Sequence, residues 1–206
     1  MSEREKQLTK GRVVVVNFMS IDGVIQSPLS PDEDRDGGFA HGGWVVPHSD
    51  DTVAGYMRTT TVDAAGMLLG RQSYQILNEA WSSADEVEPA VAAMNRMPKY
   101  VVSRSPVSVD WNNSHRVDGD HLPAAVEGLK EQVDGDLVVF GSGALIRALA
   151  EHDLVDEYRL LVFPIVIGAG KRMFGDDGHF ARFSHTGTTT SPSGVVILTY
   201  VRRTDA

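Results

Sequence analysis

The sequence predicts one α/β domain with three layers: a mostly parallel central sheet of about eight strands, helices on both of its faces, and an antiparallel C-terminal hairpin. Strand-like and helix-like segments alternate up to residue 151, which is typical of parallel strands joined by right-handed crossovers. Beyond residue 156 the strand-like segments have no helix-length segment between them, which favours antiparallel pairing. With 206 residues, 42% of them hydrophobic, the chain is long enough to bury one large core.

The individual elements follow from local patterns. The β-branched run at residues 12–18 shows no alternation, so it predicts a strand covered on both faces at the centre of the sheet. Further strands are predicted at residues 65–69, 99–103, 136–140, 157–167, 182–190 and 195–202. Helices are predicted from a cap at Ser49 to about residue 61, and at residues 73–77, 122–133 and 144–151. The turn residues Ser191-Pro192-Ser193-Gly194 predict the closing hairpin.

Two segments fall outside this regular pattern. Residues 1–10 form a charged N-terminal tail, which leaves residues 11–206 as the single domain. Residues 26–43 combine two prolines, several acidic residues and two Gly-Gly pairs, which is too polar and too rich in glycine for a regular element. Loops of this length inside a compact domain are usually functional, so we expect a mobile lid here.

Composition narrows the class of protein. The chain has no cysteine, which excludes disulfides and thiolate metal sites and fits a reducing cytoplasm. The tail lacks the apolar region of a signal peptide, and no apolar run reaches the length of a membrane span. A net charge of -9 opposes binding to nucleic acid. The seven histidines show no metal-ligand spacing, so we predict a cytoplasmic protein without a metal, a membrane partner or a nucleic-acid partner.

The strongest motif is a buried strand that runs into Gly141-Ser142-Gly143 and then into a helix beginning at Ala144 and Leu145. Backbone N–H groups at a helix start have no partner inside the helix and carry the positive end of its dipole, so they can bind a diphosphate. The alternative is that the glycines only permit a tight turn. No Walker lysine follows, and the full six-residue Rossmann fingerprint is missing.

Two other strands end in residues that can bind an anion. Gly70, Arg71 and Ser73 follow one of these strands, and Ser103 and Arg104 end the other. Because the carboxyl ends of parallel strands meet at one edge of a sheet, these segments should converge there. A guanidinium matches phosphate oxygens bidentately, so Arg71 and Arg104 are candidates for a ribose 2′-phosphate, which favours NADPH over NADH. The alternative for each arginine is a solvated surface charge.

Taken in order, these segments resemble the dihydrofolate reductase-like superfamily, and within it the branch that includes the reductase domain of riboflavin biosynthesis. The resemblance rests on the sequences at residues 19–23 (MSIDG), 70–74 (GRQSY), 103–104 (SR), 141–143 (GSG), 155–158 (VDEY) and 163–171 (FPIVIGAGK). It implies an NADPH-dependent reductase that transfers hydride to a pterin, a pyrimidine or a ring like 5-amino-6-(5-phosphoribosylamino)uracil. It also implies that Asn17 belongs to the cofactor site and that the Gly141–Ser142 peptide bond is cis. Together with the apolar runs at residues 160–163 and 195–198, which could also face the core, it predicts a homodimer.

The resemblance has two departures. The riboflavin reductases carry an acidic residue just before the paired glycines, where this chain has Phe140, so the uracil substrate does not follow. The zinc deaminase often fused to them has no counterpart among these 206 residues. Two further readings therefore stay open: a nucleotide-binding protein of this fold without turnover, and a flavin-using redox protein.

Candidates for the chemistry are two carboxylates. Asp22 precedes Gly23 at the end of the first strand, and Asp51 lies at the start of a predicted helix; either could orient or protonate a substrate. The structural alternatives are a turn residue for Asp22 and compensation of the helix dipole for Asp51. The substrate ring is expected against Met19, Trp44, Phe140 and Phe163, unless these are ordinary core residues.

Overall fold

The computed structural model describes residues 10–175 and 179–203 of the chain, so nearly all of the predicted tail lies outside the described residues. Within these ranges one sheet contains eight strands: β1 (Arg12–Ser20), β2 (Gly66–Gly70), β3 (Lys99–Ser103), β4 (Ser114–Asp118), β5 (Asp136–Phe140), β6 (Glu157–Phe163), β7 (Phe183–Thr190) and β8 (Val196–Arg202). The helices are α1 (Asp51–Asp63), α2 (Arg71–Trp81), α3 (Pro89–Arg96), α4 (Leu122–Gln132) and α5 (Gly143–Glu151).

The strand order is β4-β3-β2-β5-β1-β6-β8-β7. The first six of these strands pair in parallel, whereas β8 is antiparallel to both β6 and β7. The predicted α/β fold with a closing antiparallel hairpin is therefore confirmed. No helix within the described residues combines the length and the apolar character needed to cross a membrane.

Strand β1 lies near the centre of the sheet and is buried on both faces. Val13 and Val15 belong to a core under α4 and α5, whereas Val14 and Val16 belong to a core under α1, α2 and α3. All four side chains are at most 2% exposed, which explains why the segment shows no polar alternation. Each buried valine contributes about 1.5 kcal/mol or more to folding.

Several predicted boundaries need correction. The cap of α1 is Asp50, not Ser49: the Asp50 carboxylate accepts hydrogen bonds from the N–H groups of Thr52 and Val53, both at 3.0 Å. Helix α2 is longer than predicted, because it begins at Arg71 directly after β2 and continues to Trp81. Strand β6 ends at Phe163 rather than at residue 167, because the chain turns there and the N–H of Ile165 bonds the carbonyl of Phe163.

Helix α3 and strand β4 were not predicted. Helix α3 has only eight residues, and β4 is an edge strand in which Val117 is the one buried side chain. Neither element carries a long hydrophobic pattern, so its position is set by contacts with the rest of the fold. The loop at residues 26–43 contains one short 3-10 turn, Asp36–Gly38, and no longer element.

Candidate functional site

Neighbouring strands β5 and β1 end at a topological switch point. The helix that follows β5 packs on one face of the sheet, and the helix that follows β1 packs on the other. The two chain segments therefore diverge beyond the strand ends and leave a crevice between them. In open α/β sheets, ligands bind in such crevices outside the carboxyl ends of the strands.

The turn between β5 and α5 forms one wall of this crevice. Gly141 and Ser142 both have positive φ, 63° and 58°, and Ser142 is the N-cap residue of α5. The peptide bond between them is trans, so the expected cis bond was wrong: two consecutive left-handed residues turn the chain instead. The N–H groups of Gly143, Ala144 and Leu145 open the helix without partners inside it, as the motif predicts.

The ends of β2 and β5 are fastened to each other. The N–H of Gly70 donates to the hydroxyl of Ser142 over 3.0 Å. A Cβ atom on Gly70 would lie 3.3 Å from that hydroxyl, and one on Gly141 would lie 3.5 Å from the hydroxyl of Ser73. The two turns approach closely, so the predicted convergence of Gly70, Ser73 and the residue 141–143 turn is present.

The two arginines lie at the ends of β2 and β3, and both are exposed. A guanidinium nitrogen of Arg71 donates to the hydroxyl of Ser105 over 3.0 Å. The nearest carboxylate to Arg104 is Asp120, with an N···O distance of 4.0 Å. Ser103 is buried and donates its hydroxyl to the carbonyl of Ser105 over 2.7 Å. Both arginines thus border the Ser103–Ser105 turn with hydrogen-bonding capacity left for a ligand.

Asn17 lies on β1 beside the same turn. It is 6% exposed, and its Oδ1 accepts a hydrogen bond from the N–H of Gly141 over 3.1 Å. Its Nδ2 is buried and has no hydrogen-bond partner among the residues that the structure describes. An unused donor therefore lies beside the turn before α5, close to the helix N–H groups. Together with the two arginines, these groups form a donor set that fits an anionic nucleotide.

Asp22 is saturated with hydrogen bonds. Its carboxylate accepts from the N–H groups of Ile167 and Gly168 at 3.0 and 2.8 Å and from the hydroxyl of Ser20 at 2.7 Å, and Arg172 lies 3.4 Å away. The bond from Ile167 and that from Ser20 hold the pKa of Asp22 well below its usual range. Asp22 is ionised, so the arrangement favours an orienting role over protonation.

Asp51 is exposed as the first residue of α1, next to the cap residue Asp50. Asp50 also accepts a hydrogen bond from the N–H of Ser193 over 2.9 Å, which ties α1 to the hairpin between β7 and β8. Bonds from the N–H groups of Val53 and Ser193 lower the pKa of Asp50 to about 2. Within residues 10–175 and 179–203, no hydrogen bond holds the carboxylate of the neighbouring Asp51.

The predicted ring-contacting residues lie on both faces of the sheet. Trp44 and Phe163 contact each other edge to face with centroids 5.5 Å apart, and the Trp44 indole N–H donates to the carbonyl of Gln26 over 2.8 Å. Phe140 packs at the margin of the same core, whereas half-buried Met19 packs with the core on the opposite face. Phe163 has no exposed surface and Trp44 is 5% exposed, so both are core residues in this structure and only an edge of Trp44 is left for a ligand.

The long loop is held to the segment after β6 by contacts that the sequence pattern did not reveal. The Lys171 ammonium lies 2.9 Å from Asp34 and 3.0 Å from Asp36, and its backbone N–H donates to the side chain of Gln26 over 2.9 Å. Buried Gln26 in turn donates to the carbonyls of Asp34 and Asp36. No group of three or more potential metal ligands occurs among the described residues.

The sheet order and the crevice at its switch point define a protein of the dihydrofolate reductase-like class. Residues 12–197 match the model of the RibD C-terminal domain, so the chain belongs to that family, which is of the reductase type. The chain is also similar to YyaP, an uncharacterized protein of Bacillus subtilis (strain 168). They are 29% identical over 137 residues, which are 65% of this chain and 72% of YyaP.

Three solved structures share the fold. A protein of Shewanella sp. PV-4 assigned provisionally to riboflavin biosynthesis superposes with a TM-score of 0.64 at 17% identity, over 93% of this chain and 99% of its own. A pyrimidine reductase-like protein of Corynebacterium diphtheriae gives 0.61 at 14% identity, over 96% and 94%. Dihydrofolate reductase of Enterococcus faecalis, complexed with NADP(H) and RAB-propyl, gives 0.60 at 11% identity, over 94% and 97%.

Proposed function

We propose that this protein is an NADPH-dependent reductase that transfers hydride to a small heterocycle, such as a pterin, a pyrimidine or a phosphoribosylamino-uracil-like ring. The observation that carries the proposal is the bond from the Gly70 N–H to the Ser142 hydroxyl. It fastens two strand ends together, beside an open helix start and two arginines with capacity for phosphate.

The cofactor would lie along the carboxyl ends of four neighbouring strands. The N–H groups at the start of α5, from Gly143 onward, would bind its diphosphate. Arg71 and Arg104 would bind a ribose 2′-phosphate, with Ser73 and Ser103 shaping the two turns beneath it. Each of these side chains or turns faces the same edge of the sheet, which supports one extended dinucleotide.

When bound, NADPH supplies the hydride. The chain's own task is to orient the substrate ring and to exclude water. We propose that the exposed edge of Trp44, which packs on Phe163, contacts the ring, and that the loop at residues 26–43 covers the crevice when ligand binds. Asp22 holds the segment after β6 in place through its bonds to Ile167 and Gly168. The proton would come from Asp51 or from an ordered water.

Nucleotide binding without turnover is the competing function, and one observation favours it. The Asp22 carboxylate is fully engaged and ionised, which leaves exposed Asp51 as the candidate carboxylate for proton transfer. Fluorescence titration with NADPH and NADH tests the shared cofactor site. Loss of nicotinamide absorbance with a panel of pterins and pyrimidines then separates a reductase from a binding protein, and a yellow purified protein would point to a flavin instead.

We also propose a homodimer that forms through the face of β6 and β8 that carries Val162, Leu198 and Tyr200. These three apolar side chains pack beside the core under α4 and α5, yet each is only partly buried. A second copy would cover them. Light scattering should report about twice 22.4 kDa at micromolar concentration; a particle of 22.4 kDa would refute the dimer.

A further inference from the structure

The side chain of Asn17 combines deep burial with an unused donor. It is 6% exposed, and its Nδ2 is one of two buried side-chain polar atoms without a hydrogen-bond partner among the described residues. Buried donors are almost always paired, because an unpaired one loses its water without compensation. The other such atom, the hydroxyl of Ser114, lies on the edge strand β4, away from the switch point. Of the two, only Asn17 lies next to the residue 141–143 turn at the switch point.

The orientation of the Asn17 amide is fixed by a neighbour. The N–H of Gly141 can only donate, so the atom 3.1 Å from it must be the carbonyl oxygen Oδ1. Reversing the amide would bring two donors together. Nδ2 is therefore the amide atom that does not contact Gly141. The side chain that fixes the turn before α5 thus has a donor available for a ligand beside β1.

The order of the strands indicates which part of a bound dinucleotide would lie beside Asn17. Along the edge, Arg104 ends β3, Arg71 follows β2, the residue 141–143 turn follows β5, and Asn17 lies on β1. Three strand spacings separate β3 from β1, which is about 14 Å. A dinucleotide with its 2′-phosphate at the arginines and its diphosphate at α5 extends its nicotinamide end to β1.

We infer that Nδ2 of Asn17 donates a hydrogen bond to the carboxamide oxygen of the cofactor's nicotinamide, and that Asn17 is therefore a specificity-determining residue. This rests on the proposed function. Through its two amide atoms Asn17 connects the nicotinamide ring to the turn that binds the diphosphate. A ligand that lacks the carboxamide oxygen leaves the buried donor unpaired, so it binds more weakly.

The inference is tested by binding three ligands to the full chain and to Asn17→Leu, which keeps the approximate size of the side chain and removes its hydrogen-bonding groups. The ligands are NADP⁺, thio-NADP⁺, whose sulfur is a weak acceptor, and 2′-phospho-ADP-ribose, which lacks the nicotinamide. Asn17→Leu should lower NADP⁺ affinity about tenfold more than 2′-phospho-ADP-ribose affinity. The native chain should prefer NADP⁺ over thio-NADP⁺ about tenfold, and the variant should lose this preference.

Equal losses for NADP⁺ and 2′-phospho-ADP-ribose would overturn the inference, because Asn17 would then act only through the Gly141 turn. Equal binding of NADP⁺ and thio-NADP⁺ by the native chain would overturn it without any substitution, even if Asn17→Leu does not fold. If the native chain binds neither NADP⁺ nor 2′-phospho-ADP-ribose, the proposed cofactor itself is wrong. Failure of the inference is thus distinct from failure of the function.

Discussion

The two edges of the sheet use their polar side chains in opposite ways. At the amino-terminal edge, the first residues of β1, β5 and β6 form a closed network of charges. Arg12 contacts Asp136 at 2.6 Å and Glu157 at 3.0 Å, and Arg159 contacts the same two carboxylates at 2.8 and 2.6 Å. Both carboxylates are thereby shared between two guanidinium groups.

At the carboxyl-terminal edge, hydrogen-bonding capacity is left over. Among the described residues, Arg71 donates only to a hydroxyl, Arg104 lies 4.0 Å from its nearest carboxylate, and Nδ2 of Asn17 has no hydrogen-bond partner. Side chains paired within the fold stabilise the folded state, whereas unused donors at strand ends are available to a ligand. The comparison predicts that substitutions at one edge change stability and those at the other change binding.

The largest effect is expected for Glu157→Ala. Glu157 is 5% exposed, and its removal leaves Arg12 and Arg159 partly buried with one carboxylate fewer. We expect a loss of about 3 kcal/mol in the free energy of unfolding, measured by urea denaturation, with NADPH affinity unchanged in the folded protein. The matched control is Glu88→Ala, which breaks an exposed ion pair with Arg58 and should cost less than about 1 kcal/mol. Similar losses of unfolding free energy for Glu157→Ala and Glu88→Ala would show that the network at the amino-terminal edge is no more stabilising than an exposed ion pair.

A second test uses a charged group at the amino-terminal edge whose hydrogen bonds, within the described residues, go to carbonyls and not to a carboxylate. Lys99 begins β3 and is fully buried, and its ammonium donates to the carbonyls of Asn95, Met97 and Asn112. Burial lowers the pKa of Lys99 to about 8, below the value of about 10.4 in the unfolded chain. The unfolded state binds more protons between these values, so stability should rise by up to about 3 kcal/mol from pH 8 to above pH 10. Denaturation across this range should show the rise, and Lys99→Met should abolish it; a flat native profile would contradict it.

At the opposite edge, Arg71→Ala or Arg104→Ala should lower NADPH affinity by about tenfold to a hundredfold, because each removes a charge-assisted contact worth about 1.5 to 3 kcal/mol. NADH affinity and unfolding should change little. Arg96→Ala, at the exposed end of α3, is the control and should change none of these quantities. Equal losses for both cofactors would argue against a 2′-phosphate role.

The smallest effect is expected for the loop at residues 26–43. Lys171→Met removes its two ion pairs with Asp34 and Asp36, together worth about 1 kcal/mol. Hydrogen exchange of the loop should become about fivefold faster, whereas Lys10→Met, which breaks an exposed pair with Glu127, should leave it unchanged. Full protection of the native loop without ligand would count against a mobile lid.

Much of the fold could be predicted because its central strands are recognisable as apolar runs in the local sequence. Residues 99–103 and 136–140 match β3 and β5 as predicted, and β1 extends the predicted run by two residues. Helix α3 and strand β4 could not be found in this way. Helix α3 buries five consecutive residues of its eight and β4 buries only Val117, so neither shows an alternation of apolar and polar residues. Ser49 and Asp50 are adjacent, and either residue type can cap a helix. Asp50 is the cap in the structure, where its carboxylate also accepts a hydrogen bond from the distant Ser193.

The candidate site could be predicted as segments but not as contacts. The glycines and arginines at strand ends identify the edge of the sheet, and the alternation of strands with helices brings them together. The bond from Gly70 to Ser142 and the link from Lys171 to Asp34 join residues 72 and 137 positions apart. Contacts between residues so far apart in the chain cannot be predicted from local sequence patterns. The resemblance implied a cis bond between residues 141 and 142, whereas the structure has a trans bond between two residues of left-handed conformation.

Hydrogen exchange of the native chain with and without NADPH tests the contrast between the two edges most directly. NADPH should slow exchange at residues 70–73, 103–105 and 141–145 and leave residues 12–13, 136–137 and 157–159 unchanged. Slowing at the amino-terminal edge instead, or no change at the carboxyl-terminal edge at saturating NADPH, would contradict the account.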